Sequence, residues 1–128
     1  MRSKFVGVIL VVAALGVGAT RVSTSPAVKW AAVNLTDTVK IAGAFVTGPV
    51  VFVHDDARMA RGEPCTSVHR FDAEKGVGEE LVAFHCKPRW GKAPEKFTKS
   101  TNAQPDGPPI LTEYQFAGDE EAHEVPVR

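Results

Sequence analysis

The distribution of β-forming residues is the feature that most limits how this chain can fold. From residue 28 onward, short runs rich in Val, Phe and Thr recur between Gly, Pro and Asp residues, and helical periodicity is weak. Short apolar runs separated by turn residues are typical of all-β domains. The sequence therefore predicts one β-rich domain over residues 28–128, built as a small antiparallel β-sandwich or a partly open barrel. The expected strands lie near residues 28–35, 39–41, 45–47, 50–54, 66–71, 81–86, 96–98 and 110–116.

The amino terminus has the pattern of an export signal. Arg2 and Lys4 precede an uncharged apolar run over residues 5–19, and small residues end this run. The run is shorter than the roughly 20 residues of a typical membrane-spanning helix. We therefore expect a signal peptide over residues 1–19, with cleavage as late as residue 27. The mature protein would be periplasmic or secreted and would keep no stable membrane anchor.

Charge and size restrict the partners and the stability of the mature chain. Removal of the signal would take away Arg2 and Lys4 and leave 13 basic and 15 acidic residues. Because nucleic-acid-binding domains carry a basic excess, this balance argues against a nucleic-acid partner. The remaining chain of about a hundred residues can bury only a modest core, so a covalent cross-link would help to stabilise it.

Two long connections have the composition of surface loops. Residues 86–96 and 99–109 are rich in Pro, Gly and charged residues, and such residues are unfavourable inside a sheet. We therefore expect both segments to be loops without regular structure.

The segment DDARMARGEP, residues 55–64, has the residues of one helical turn. Asp55 or Asp56 can accept hydrogen bonds from the free amides at its start. Gly62 favours the left-handed conformation that ends a helix, and Pro64 prevents its continuation. The sequence therefore predicts a short capped helix between two strands.

The two cysteines lie at corresponding positions of a predicted hairpin. A hairpin centred between residues 75 and 76 would place Cys65 directly opposite Cys86. Opposed residues on neighbouring strands lie within the reach of a disulfide, and export compartments favour its formation. We therefore predict a structural disulfide, which would stabilise the domain by roughly 3 kcal/mol.

A copper or zinc site is the main alternative use of these residues. The sequence contains neither a CxxC motif nor an HxxxH motif, so spacing alone gives weak support. His85 and Cys86 are neighbours on a strand and point to opposite faces, so they do not share an ion easily. The candidate ligands are His54, Met59, His69 and His85, together with Cys65 and Cys86 if these stay reduced.

Nucleophilic catalysis has little support in the sequence. Cys65 and His69 would be about 13 Å apart along a strand, and Ser67 and His69 about 6.6 Å apart. Neither spacing predicts a hydrogen bond between a nucleophile and its base. We therefore expect no enzymatic activity and no cofactor, and we rank a redox or hydrolytic enzyme third.

Two charged segments offer a binding surface. Residues 87–99 carry five basic residues and one acid, and residues 119–124 surround His123 with carboxylates. A cationic loop with an exposed aromatic ring could hold an anionic ligand or a cell-surface polymer. Carboxylates near His123 would raise the pKa of its imidazole. The candidate ligand-binding residues are Lys87, Arg89, Trp90 and Lys92.

Three blocks of sequence carry a resemblance to other proteins. VHDDARMARGEPCT, LVAFHCKP and LTEYQFAGDEEAHEVP resemble the recurring landmarks of a group of small exported bacterial proteins of unknown function. The resemblance covers most of the chain after residue 28 and implies a bacterial source, an export signal and a β-rich domain. It implies no catalytic or binding residue. The resulting expectation is a disulfide-linked binding or envelope-associated module, with a periplasmic metal-binding protein as the alternative.

Overall fold

The computed structural model describes residues 28–127 of the 128-residue chain and consists mainly of β-strands. The predicted signal peptide lies outside the described residues. Within residues 28–127, no helix is long and apolar enough to cross a membrane. The elements are β1 Val28–Ile41, β2 Ala44–Asp55, α1 Asp56–Ala60, β3 Thr66–Asp72, β4 Gly76–Phe84, β5 Lys87–Trp90, β6 Thr98–Gln104, β7 Gly107–Gln115 and β8 Glu121–Glu124.

The eight strands form one open sheet. Their order is β4-β3-β2-β1-β7-β8-β5, and β6 pairs with β7 beside this path. The pairs are antiparallel except for β1 and β7, which run parallel where Lys40 lies opposite Ile110. The all-β prediction is therefore confirmed. The sheet is mostly antiparallel, as expected, and is mixed only at the junction of β1 with β7 among the described strands.

A tight turn joins the two longest strands. β1 and β2 pair up to Ile41 and Ala44, and the residues between them, Ala42 and Gly43, both have positive φ angles. A two-residue turn of this kind matches the twist of antiparallel strands. β1 is one continuous strand with a bulge after Leu35, whereas the sequence predicted two strands there. A bulge preserves hydrogen bonding on both sides, so the strand bends without ending.

Three strands occupy segments that were expected to be loops or a solvated tail. These strands are β5, β6 and β8. Pro88 lies in β5, which is an edge strand, and Pro108 and Pro109 lie near the start of β7. Proline is tolerated at edges and strand beginnings because no ladder hydrogen bond is lost there. Composition alone therefore predicted too many loops.

The core lies on one face of the sheet and is rich in aromatic rings. Phe52 packs against Tyr114 and Phe97, with ring centroids 5.1 and 5.2 Å away. Tyr114 contacts Phe116 edge to face. On the same face as Phe52, two residues further along β2, lies the buried His54. The apolar core thus ends at a buried imidazole.

Candidate metal centre

Two thiols and two imidazoles meet at the end of the core. His54 lies in β2, Cys65 directly before β3, Cys86 between β4 and β5, and His123 in β8. One ligand atom each of His54, Cys65 and Cys86 lie within 4.8 Å of one another. The Cys86 Sγ is 3.6 Å from the His123 Nδ1, and the centroids of the two imidazole rings are 4.3 Å apart. All are buried except Cys86, which is half-buried.

The short helix brings Cys65 beside His54. Asp55 caps α1 by accepting a hydrogen bond from the Ala57 amide at 2.9 Å, and Gly62 has a φ of 77° after the helix end. The Asp55 amide donates to the Cys65 carbonyl at 2.9 Å and closes the excursion. The predicted capped turn is confirmed. After this turn the chain re-enters the sheet, and Cys65 lies next to the end of β2, which carries His54.

The predicted Cys65–Cys86 disulfide is absent from this structure, which holds both cysteines as free thiols. The hairpin pairs Thr66 with Phe84 and Ser67 with Ala83, so its register at this end differs by one residue from the expected one. At the turn, where Asp72 pairs with Gly76, the register differs from the expected one by three residues, and irregularities on either side of His69 reduce this difference to one. In this register, position 65 faces position 85 rather than 86. The Cys86 amide nevertheless donates to the Cys65 Sγ at 3.3 Å.

The two thiols differ in their proton affinity. A hydrogen bond from the Cys86 thiol, with help from His54, the Cys86 amide and the Thr66 hydroxyl, lowers the pKa of Cys65 against the opposing effect of burial. The hydrogen bond to Cys65, followed by burial, raises the pKa of Cys86. One proton shared between the sulfurs explains both directions. The pair therefore contains one sulfur that is prepared to act as a thiolate ligand.

Each imidazole has one buried nitrogen without a partner. The Nδ1 of His54 is 3.4 Å from the Asp56 carboxylate, and the Nδ1 of His123 faces Cys86. The two Nε2 atoms are buried and have no hydrogen-bond partner among the described residues. Buried polar atoms are nearly always bonded, so an unpartnered one suggests an ion or a water. A histidine grouped with two thiols matches part of the ligand set of a transition metal.

Burial determines the charge of His123. Burial and, next, the neighbouring His54 lower the pKa of His123 to about 4. The expectation of a raised pKa is therefore wrong, because β8 places the ring inside the protein, where desolvation outweighs the effect of nearby carboxylates. A neutral imidazole at physiological pH is the form that binds metals. Tyr114 stacks on the ring at 4.9 Å and fixes its position.

Asp119 and Glu121 form a second group with His123. One ligand atom each of these three residues lie within 4.8 Å of one another. Asp119 is already bound, because its carboxylate accepts from the Lys29 ammonium at 2.6 Å and from the Glu121 amide at 3.0 Å. Burial raises the pKa of Glu121. These carboxylates are therefore less available as metal ligands than the two thiols are.

The other predicted metal ligands lie outside the centre. Met59 is on α1 and 39% exposed, and His85 is exposed on the side opposite Cys86. His69 is on the opposite face of the sheet, where both of its ring nitrogens are hydrogen-bonded. Of the four predicted His and Met ligands, the structure brings only His54 to the cysteines. His123 takes the remaining place, and its position in an acidic tail gave no sign of a buried strand.

The predicted anion-binding residues lie on or next to the edge strand β5. Trp90 is 69% exposed and Lys87 and Lys92 are on the surface. Arg89 is paired with Glu113 through two hydrogen bonds at 2.5 and 2.7 Å. This guanidinium is therefore committed to a carboxylate of the protein, which weakens the case for an anion site there.

Comparisons with known proteins add no family to this description. No family model, no curated protein and no solved structure matches the chain.

Proposed function

We propose that this chain is a metal-binding protein that holds one zinc ion between His54, Cys65, Cys86 and His123. The observation that carries the proposal is the close group of His54, Cys65 and Cys86, whose ligand atoms lie within 4.8 Å of one another, with the Nδ1 of His123 3.6 Å from the Cys86 Sγ. The Nε2 atoms of both histidines are buried and have no hydrogen-bond partner among the described residues. Each buried polar atom without a partner costs on the order of 1–3 kcal/mol, and a bound cation would remove this cost. Two sulfur and two nitrogen ligands are a common tetrahedral set for Zn²⁺.

Charge balance favours zinc over copper. Two thiolates and Zn²⁺ give a neutral centre, whereas Cu⁺ would leave a net negative charge in a buried position. Burying an uncompensated charge is costly. The imidazoles are neutral ligands, which agrees with the lowered pKa of His123. Zinc therefore fits both the ligand types and the burial of the site.

Supporting contacts around the ligands favour a fixed geometry. The Asp56 carboxylate beside the Nδ1 of His54 leaves Nε2 as the nitrogen available to a metal. A carboxylate in this position commonly orients a metal-binding histidine. Four protein ligands would leave no open coordination position, so we infer a structural or storage role for the ion rather than a catalytic one.

For the cellular location, we keep the proposal of export that the amino-terminal sequence supports. We infer an exported protein whose single domain packs as a small sandwich or partly open barrel and which reaches a periplasmic or secreted location. Export exposes the two thiols to oxidants, so disulfide formation competes with metal binding at the same sulfurs. The second candidate function is that of an anion-binding or envelope-associated module. The observation that favours it is the exposed ring of Trp90.

The test is a metal analysis of protein recovered from an exporting host without chelator. Native mass spectrometry and elemental analysis should give one zinc per chain in the wild type. His54→Ala and Cys86→Ser should lose it, and His85→Ala is the matched control because His85 is exposed and next to Cys86. Co²⁺ substitution should give the intense absorption of a tetrahedral sulfur-ligated site.

Three results would contradict the proposal. Metal-free protein that also fails to bind added zinc under reducing conditions would exclude the site. Zinc that stays bound in His54→Ala and Cys86→Ser would place it elsewhere. Binding of Cu⁺ in preference to Zn²⁺ would overturn the argument from charge balance.

A further inference from the structure

The outer face of the sheet contains a second group of reactive side chains, around a cavity of about 200 Å³. This face is opposite to the one that carries Phe52 and His54. Ser67 and His69 are two positions apart on β3, so their side chains lie on the same face of the sheet, the face with the cavity. Besides these two, the lining includes Trp30, Val53, Arg58, Cys65 and Val77.

The hydrogen bonds of His69 fix its tautomer. Its Nδ1 is 3.1 Å from the carbonyl oxygen of Gly78, which can only accept a hydrogen bond, so Nδ1 carries the proton. In the neutral ring, Nε2 then has a free lone pair. This Nε2 is 2.8 Å from the Ser67 Oγ, which must therefore donate. A serine donates to an imidazole that a third group orients, as in hydrolytic sites.

We propose that Ser67 is a nucleophile, that His69 is its general base, and that the cavity accepts small carboxylic esters with an apolar acyl group. The proposal does not rest on the metal centre, since neither Ser67 nor His69 contributes a ligand there, although Cys65 lies at both sites. The sequence-based distance of 6.6 Å along the strand did not predict this contact, because that rise separates backbones and the two side chains lean towards each other.

The lining of the cavity matches this class of substrate. Trp30, Val53 and Val77 provide an apolar wall for the acyl group. Arg58 supplies a permanent positive charge on the same cavity, which suits the negative charge that develops on a carbonyl oxygen during attack. Ser67 is only 4% exposed, so a substrate reaches its hydroxyl through the cavity.

The reaction balances without any cofactor. The Ser67 Oγ forms a bond to the ester carbonyl carbon while its proton moves to the His69 Nε2. The bond to the alcohol oxygen then breaks, and the alcohol leaves with that proton. Water next attacks the acyl-serine, gives a proton to His69, and releases the carboxylic acid as Ser67 takes the proton back.

The test uses the full chain with a fluorophosphonate probe and with p-nitrophenyl butyrate. We expect one probe molecule per chain, located on Ser67 by peptide mass spectrometry. His69→Gln should slow labelling and ester hydrolysis on the order of a hundredfold, since this is the usual contribution of a general base. Ser67→Ala should abolish labelling, and Ser100→Ala is the matched control on the exposed strand β6.

The outcomes separate this proposal from its alternatives. A probe attached to Cys65, which lines the same cavity, would overturn it by identifying the thiolate as the nucleophile. Labelling that occurs equally on Ser67 and Ser100, or that His69→Gln does not slow, would also overturn it. Melting temperatures of the variants show whether a loss reflects unfolding. If Ser67→Ala fails to fold, His69→Gln and the position of the probe in the wild-type peptide provide the test.

Discussion

The two faces of this sheet treat their histidines in opposite ways. On the inner face, His54 and His123 are buried and each has an Nε2 atom without a partner. On the outer face, the ring nitrogens of His69 bond to Ser67 and Gly78. A buried nitrogen without a partner calls for an external species, whereas a ring with two partners has a fixed tautomer and needs none. Hydrogen-bond satisfaction therefore separates the proposed metal ligands from the proposed general base.

The largest expected effect is stabilisation by zinc through the inner histidines. Zinc at a thousandfold excess over its dissociation constant should stabilise the reduced protein by about 4 kcal/mol. For a domain of this size, that corresponds to a rise in melting temperature of more than about 10 °C. Thermal unfolding with zinc or with chelator measures it. Oxidation to the Cys65–Cys86 disulfide should abolish the zinc effect; a zinc effect that survives oxidation would show that the thiols are not ligands.

A smaller effect is expected from pH in the metal-free protein. The folded pKa of His123 is about 4 and lies below its ordinary value of 6.5, so the unfolded state binds more protons between these values. Stability should be complete above pH 6.5 and should fall by roughly 3 kcal/mol as the pH drops to 4. Urea unfolding with chelator present measures the loss.

A matched variant tests whether His123 causes this pH dependence. His123→Phe keeps an aromatic ring against Tyr114 and should flatten the dependence between pH 6.5 and pH 4. His54, Asp119 and Glu121 also face this ring and stay unchanged in the variant. An equal slope in both proteins would assign the titration to one of these neighbours.

A third expected effect concerns the carboxylate beside His54. Asp56→Asn should weaken zinc binding about 10- to 100-fold, because it removes the charged group that orients the ligand. Competition with a chromophoric chelator measures the affinity. Glu63→Gln is the control, since Glu63 pairs with Arg61 on the exposed side of the same turn. Equal affinities for the two variants would exclude an orienting role for Asp56.

The smallest effect is expected on the outer face. His69→Gln should cost about 1 kcal/mol of stability, the usual value of a lost hydrogen bond, and should leave zinc affinity unchanged. Calorimetry of the variant with and without zinc gives both quantities. A change in zinc affinity would show that the two faces are coupled and would contradict the separate roles proposed for their histidines.

Local patterns predicted the local structure well. The all-β class and the capped turn at Asp55 followed from residue types within a few positions of each other. The hairpin register did not, because the irregularities beside His69 depend on how β3 and β4 pack. The burial of His123 was not predicted, because its charged neighbours gave no sign of a strand in which Ala122 and His123 are both buried. The strand that carries this ring pairs with its near neighbour β7 and also with β5, which is distant in sequence.

The parallel contact between β1 and β7 divides the sheet into an early and a late half in chain order. Among themselves, strands β1 to β4 pair in sequence order, so they can form by successive local hairpins. The later strands join them through a single parallel residue pair, Lys40 with Ile110, together with side-chain packing. His54 and Cys65 belong to the first half and His123 to the second. An ion held by all three would couple the two halves into one cooperative unfolding unit, and without it the later half would open first and lose its hydrogen-exchange protection separately.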